Sequence, residues 1–161
     1  MSMDFKTLNF QEVMDDISQA LDQFKGGKVV TVGIHEGAPQ VEGADLNMAT
    51  LGAVLNFGTD DGHIPGRPWL DPGIAAGSQD IIDAIADGVE AGKSLDEVLE
   101  AVGVVASGAV RQYMTDLKTP PNADSTIKRK GSSNPLIDTG ALRSSVTHAI
   151  TDGGDISEGI Q

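Results

Sequence analysis

Within the stretch NFGTDDGHIPGRPWLDPG, residues 56 to 73, stand Asp60, Asp61, His63, Arg67 and Trp69, the last being the only tryptophan of the chain. Two carboxylates and an imidazole this close could ligate a divalent cation or pass a proton, as a metal-dependent hydrolase requires. The paired spacing of a metal site is missing, because His35 and His148 fall in predicted strands far off in sequence. The competing reading is a solvated acidic turn. A second candidate, GVEAGKS at residues 88 to 94, resembles a phosphate-binding loop but has three residues between its glycines where that loop needs four. It also lies between two predicted helices, so it reads as a helix-helix turn with Gly92 ending one helix and Ser94 capping the next. No nucleophile elbow surrounds any serine, and the absence of cysteine excludes thiolate chemistry and disulfides. The residues therefore point away from catalysis, and no cofactor or metal is expected.

The same segment has a mechanical account. Pro65 and Pro68 restrict the backbone, Trp69 and Leu70 anchor it in a core, and Asp71-Pro72 launches a helix. Arg67, held between the two prolines, offers a planar guanidinium to a carboxylate or to backbone carbonyls, within the chain or across an interface. An arginine that is merely solvated is the alternative.

The elements that must position these residues follow from periodicity and caps. Phe10, Val13, Met14, Ile17, Leu21 and Phe24 trace an amphipathic helix over residues 9 to 24. KVVTVGIH, residues 28 to 35, reads as a strand, and the segment after it as a loop or irregular hairpin tip. Residues 46 to 57 form a buried apolar helix with Asp45 as cap, and a further helix runs from Asp71-Pro72 to about Val89. Leu95, Val98, Leu99, Val102, Val105, Ala109, Tyr113 and Leu117 lie on one face of a long helix, with Gly103 and Gly108 as points of close backbone packing. Residues 119 to 135 lack an apolar period and read as a long loop, and residues 144 to 151 as a closing strand.

Length and composition limit the architecture. A chain of 161 residues suits one domain, taken as residues 1 to 151, with 152 to 161 as a tail. Aromatics make up only 4%, so the core must rely on aliphatic residues, and 20 glycines predict many turns and a monomer of marginal stability. The net charge of −13 opposes nonspecific nucleic-acid binding. Its distribution is polar: residues 71 to 101 hold eight acids and one base, whereas 111 to 143 hold six bases and three acids. No apolar run approaches the roughly 18 residues of a membrane span, so a soluble product of the cytoplasm is expected.

Two segments taken together, LNFGT with HIPGRPWLDP and PPNADSTIKRKGSSNPLIDTGALRSSV, resemble the tailed-bacteriophage neck and tail-completion proteins, the broad group of virion morphogenesis or minor tail components. The match covers residues 55 to 70 and 120 to 146. It falls on Asn56, Gly58, Pro65, Arg67, Pro68 and Trp69 in the first motif, and on Lys128, Arg129, Lys130, Pro135, Leu136, Asp138, Thr139, Gly140 and Arg143 in the second. Asn56 departs from the pattern, which commonly has an acid there, and this places any ion pair built on that acid in doubt. The resemblance implies a non-enzymatic virion protein that completes or joins the tail at its head-proximal end, as a ring that the family makes hexameric. A tail terminator or head-side connector is the neighbouring alternative, and a hydrolase using Asp60, Asp61 and His63 the alternative of another class.

The implied partners are further copies of the chain, tail terminator, tail tube or connector proteins, and DNA passing without specific binding; no membrane is involved. The expected fold is α+β, a small sheet packed against an N-terminal helix and one or two long central helices, with a long extended loop. In the second motif Leu136 and Ile137 pack, Asp138 or Thr139 caps a short helical turn, Leu142 returns to the core and Arg143 stands near the turn's end. The basic loop is expected to be mobile in the free subunit and to order against the helix bearing Asp80, Asp83, Asp87 and Glu90 on a neighbouring copy.

Overall fold

A computed structural model describes residues 27 to 35, 37 to 131, 133 to 136 and 140 to 153. The helix expected over residues 9 to 24, the tail beyond Gly153, and Ile137, Asp138 and Thr139 lie outside these. Strands β1 (Lys28–Gly33) and β2 (Thr147–Asp152) form a two-stranded antiparallel sheet. Between them come α1 (Met48–Phe57), α2 (Leu70–Ala76), α3 (Ser78–Glu90), α4 (Leu95–Asp116), α5 (Asp124–Lys130) and α6 (Ala141–Ser144). The class is α+β. The described residues fall into two units. One comprises Gly27–Val29 and Thr151–Gly153, closed by the Gly153 amide donating to the Gly27 carbonyl at 2.6 Å. The other, Val30–Ile150, contains all six described helices and the core.

That core consists of Met48, Trp69, Val110, Met114, Leu136, Leu142 and Val146, with Val110, Met114 and Val146 wholly buried. α4 runs through it for 22 residues, with α2 and α3 packed along its length. Its start is fixed by a capping box: the Ser94 hydroxyl accepts the Glu97 amide, and the Glu97 carboxylate accepts the Ser94 amide at 2.9 Å. Gly92 has φ 67° in the preceding turn, so GVEAGKS is a helix-helix connection whose serine is committed to the cap. Gly103 sits against the ring of His148, where a side chain would collide, while Gly108 faces open space.

Several boundaries differ from expectation. β1 ends at Gly33 and β2 starts at Thr147, because Ser144 belongs to α6. The segment before α1 is an irregular hairpin, with the Val41 amide on the Leu46 carbonyl and a bridge between Gln40 and Asn47. The chain is free to turn helical only after that bridge, so Asn47 caps α1 in place of Asp45, its Oδ1 accepting the Thr50 amide at 2.8 Å. Within α1 only Met48 and Gly52 are buried. The helix expected to run unbroken to Val89 is divided at Gly77, and Pro72 occupies the third position of α2, not the first. Its missing amide is harmless there, since the first-turn amides of a helix have no internal partner.

The expected loop over 119 to 135 contains α5. Asp124 in its first turn and Lys128, Arg129 and Lys130 in its last complement the helix dipole, and Gly131 ends it in the left-handed conformation. Seven residues are too few to display a period, and its half-buried Thr126, Ile127 and Lys130 do not read as an apolar stripe.

Candidate functional site

Asn56 stands in the last turn of α1, and its Oδ1 accepts the Trp69 amide at 2.9 Å and the Leu70 amide at 3.4 Å. Those amides open α2, so a side chain from one helix caps the next. The position needs an acceptor, not a charge, and the asparagine oxygen supplies it. Gly58 ends α1 at φ 81°, with its amide on the Val54 carbonyl. A Cβ there would lie 2.6 Å from the Gly66 nitrogen and 2.8 Å from the Ile64 oxygen, so the turn closes only on glycine.

The turn spanning residues 59 to 64 uses one member of the acidic pair, Asp61, structurally. Asp61 Oδ1 accepts the Thr59 hydroxyl at 2.6 Å and the His63 amide at 2.9 Å. The hydroxyl first, and then the amide, hold its carboxyl below the ordinary aspartate range. Asp60 and His63 are exposed. His35 bonds Thr31 and Thr147, and His148 bonds Glu100 at 3.0 Å, so the three histidines occupy separate settings. Among the described residues no three His, Asp or Glu side chains converge as metal ligands.

Beyond this turn, Pro65 and Pro68 are exposed while Arg67 and Trp69 point inward, at 5% and 4% exposure. The indole Nε1 donates to the Gly52 carbonyl at 3.0 Å, which satisfies the one polar atom of a core tryptophan. The Arg67 backbone amide donates to Leu55 at 2.8 Å. Its guanidinium crosses to the second motif: Nε donates to the Pro120 carbonyl at 2.8 Å, and Nη2 to the Pro121 carbonyl at 3.1 Å and Asn122 Oδ1 at 3.4 Å. Of the partners open to it, the fork takes backbone carbonyls of its own chain. Burial lowers its pKa, and the carbonyls supply the compensation.

Asn134 is the residue that sequence reasoning missed. It is 8% exposed. Its Nδ2 donates to the Thr115 carbonyl of α4 at 2.7 Å, and its Oδ1 accepts the Leu136 amide at 3.0 Å. Its carbonyl accepts Asn122 Nδ2 and Lys130 Nζ, each at 3.3 Å. The signal was the Asn-Pro dipeptide, a turn initiator hidden in a polar run. Pro135 and Leu136 are buried beside it. α6 begins after Gly140, which occupies the cap position at φ 82° without a side-chain cap, and Arg143 Nη1 donates to Thr115 Oγ1 at 3.0 Å. Lys128 and Arg129 are exposed on α5.

These pieces enclose a cleft of about 1260 Å³ whose walls include Met48, Leu51, Leu55, Arg67, Arg129 and Leu136. Both motif segments contribute to it. No helix among the described residues is long and apolar enough to cross a membrane. No protein-family model, curated protein or solved structure matches this chain.

Proposed function

We propose that this chain is a structural protein of a tailed-bacteriophage virion, completing or joining the tail at its head-proximal end as part of a ring. The observation that carries the reading is the interlocking of the two segments on which the resemblance rests. Arg67 of the first bonds Pro120, Pro121 and Asn122 of the second, Asn122 in turn bonds Asn134, and Arg67, Pro121 and Asn122 line one cleft. Motif residues spent on building a frame fit a protein whose task is to present surfaces, not to turn over a substrate. The uneven charge distribution supports the same reading, since an acidic segment and a basic segment on one chain favour repeated contact between copies.

The partners on this reading are further copies and the adjoining tail terminator, tail tube or connector proteins, and the site of action is the virion. The test is a phage carrying a nonsense mutation in this gene. Filled heads and unjoined or incomplete tails are expected by electron microscopy, with the chain found in wild-type particles at a fixed copy number. Normal infectious particles lacking the chain overturn the proposal.

A further inference from the structure

We infer that the chain carries both halves of a head-to-tail contact with a second copy of itself, the outer face of α3 on one copy seating in the cleft beside α5 of the next. The inference rests on the proposed function for its place in a ring, but its components are independent of that reading.

The first component is an exposed apolar face on which no described element packs. Ile82, Ile85 and Val89 are 57%, 43% and 49% exposed, at spacings of three and four along α3. The helix already has its core-directed face, where Gly88 lies against Val98 of α4 and Ile81 and Ala84 are half-buried. Scattered exposed hydrophobics need no explanation, whereas a second stripe at helical spacing marks an interaction surface.

The second component is charge placed on one side of that stripe. Asp80, Asp83, Asp87 and Glu90 are all exposed. At about 100° per residue Asp83 and Glu90 lie beside the stripe while Asp80 and Asp87 fall on the far side of the helix, and the other edge of the stripe borders the seam with α4. The outer surface of α3 is thus an apolar ridge with one acidic shoulder.

The third component is the cleft. Its volume exceeds the roughly 300–1,000 Å³ that encloses a small ligand, and its walls include Met48, Leu51 and Leu55 of α1. The wall formed by α5 is basic, with Arg129 exposed one turn beyond Ser125, while the hairpin segment before α1 contributes Glu42. An α3 helix seated with its acidic shoulder toward α5 pairs unlike charges and keeps its carboxylates away from Glu42. Two copies of a chain with net charge −13 repel at a distance, so stable contact requires a local basic patch of this kind. Because ridge and cleft are different surfaces, the pair retains one free ridge on one copy and one free cleft on the other, and addition continues into a ring or a filament.

The experiment uses two complementary variants of the full chain. Ile82→Asp with Ile85→Asp removes the ridge and leaves the cleft; Ser125→Glu with Arg129→Glu makes the basic wall acidic and leaves the ridge. Sedimentation of the wild type should show association that weakens as salt shortens the screening length below about 10 Å. Each variant alone should be monomeric, its dissociation constant raised at least about a hundredfold by burying charge or opposing like charges. An equimolar mixture should form a dimer and nothing larger, because it holds one intact ridge and one intact cleft. Circular dichroism melting confirms that each variant is folded, and Ile82→Ser with Ile85→Ser replaces the first if it is not. A wild type that stays monomeric up to about 1 mM, the weak end of specific binding, overturns the inference. So does a folded variant that associates like wild type, or a mixture that stays monomeric. Presence of the chain in virions alongside any of these results leaves the proposed function standing and places its contacts elsewhere.

Discussion

Arg67→Lys keeps the charge and most of the stem, and so isolates what the planar fork contributes. Arginine reaches two backbone carbonyls at 2.8 and 3.1 Å and the Asn122 oxygen at 3.4 Å from two nitrogens set in one plane. A single ammonium retains one strong contact and leaves the second carbonyl without its donor. Hydrogen bonds to a charged group are worth about 1.5–3 kcal/mol each, and a buried group left unpaired adds to the loss, so the substitution should cost about 2–4 kcal/mol. For a chain of this length each kcal/mol moves the melting midpoint by about 2–4 °C, giving a drop of roughly 5–15 °C. Thermal and urea unfolding measure the loss, and hydrogen exchange locates it, with faster exchange expected at Asn122 and through α5. A melting midpoint within about 1 °C of wild type would refute the reasoning, showing that the fork does not hold residues 120 to 122 in place.

Trp69→Ala removes a side chain that is 4% exposed and bonded to Gly52, and should destabilise by about 3–5 kcal/mol, read by urea unfolding. Asn56→Ala strips the cap from α2 and should cost about 1–2 kcal/mol, whereas Asn56→Asp, which still presents an acceptor, should lose much less in the same assay. Hydrogen bonds from Ser94 hold the Glu97 carboxyl below its ordinary value, so its contribution is present above a pH of about 4.3 and is lost as pH falls through the lower folded value. The melting deficit of Ser94→Ala should accordingly be larger at pH 7 than at pH 3. Asp60→Ala with His63→Ala should melt like wild type and Asp61→Ala below it, because only Asp61 holds the turn.

Sequence pattern showed what depends on neighbours along the chain and hid what depends on neighbours in space. The Ser94 cap and the span of α4 were legible because cap and period lie within a few residues of each other, but the buried face was not: it runs through Val98, Gly103, Ala106, Ser107, Val110 and Met114, of which only Val98 lay on the expected stripe. Arg67 was recognisable as constrained, since Pro65 and Pro68 bracket it, but the fork's acceptors lie more than fifty positions away and two of the three are backbone carbonyls. Backbone carbonyls look alike in any sequence. Asn56 could be seen only as a departure from an acidic pattern, because its role as a cap appears once Trp69 and Leu70 return beside it. α5 escaped for the opposite reason: its determinants are local, but spread over a stretch too short for a period. The exposed ridge of α3 was concealed within a helix whose many apolar residues all looked suited to one core.

Arg67 and Pro120 are held together although 53 positions separate them, and everything between is α2, α3, α4 and their connections. This excursion leaves and re-enters the frame at one clamped point, and it contributes Val110 and Met114 to the core cluster from the later part of α4, nearer the clamp in sequence. The turn at Ala91 to Lys93 is remote from that anchorage in sequence and contributes nothing to the cluster. The α3–α4 hairpin can therefore vary in length as an arm does on a fixed shoulder. Inserting about seven residues on each side of the turn would lengthen it by about 10 Å without altering a residue of the frame, and on the proposed head-to-tail contact would change the spacing of copies while preserving how each one folds.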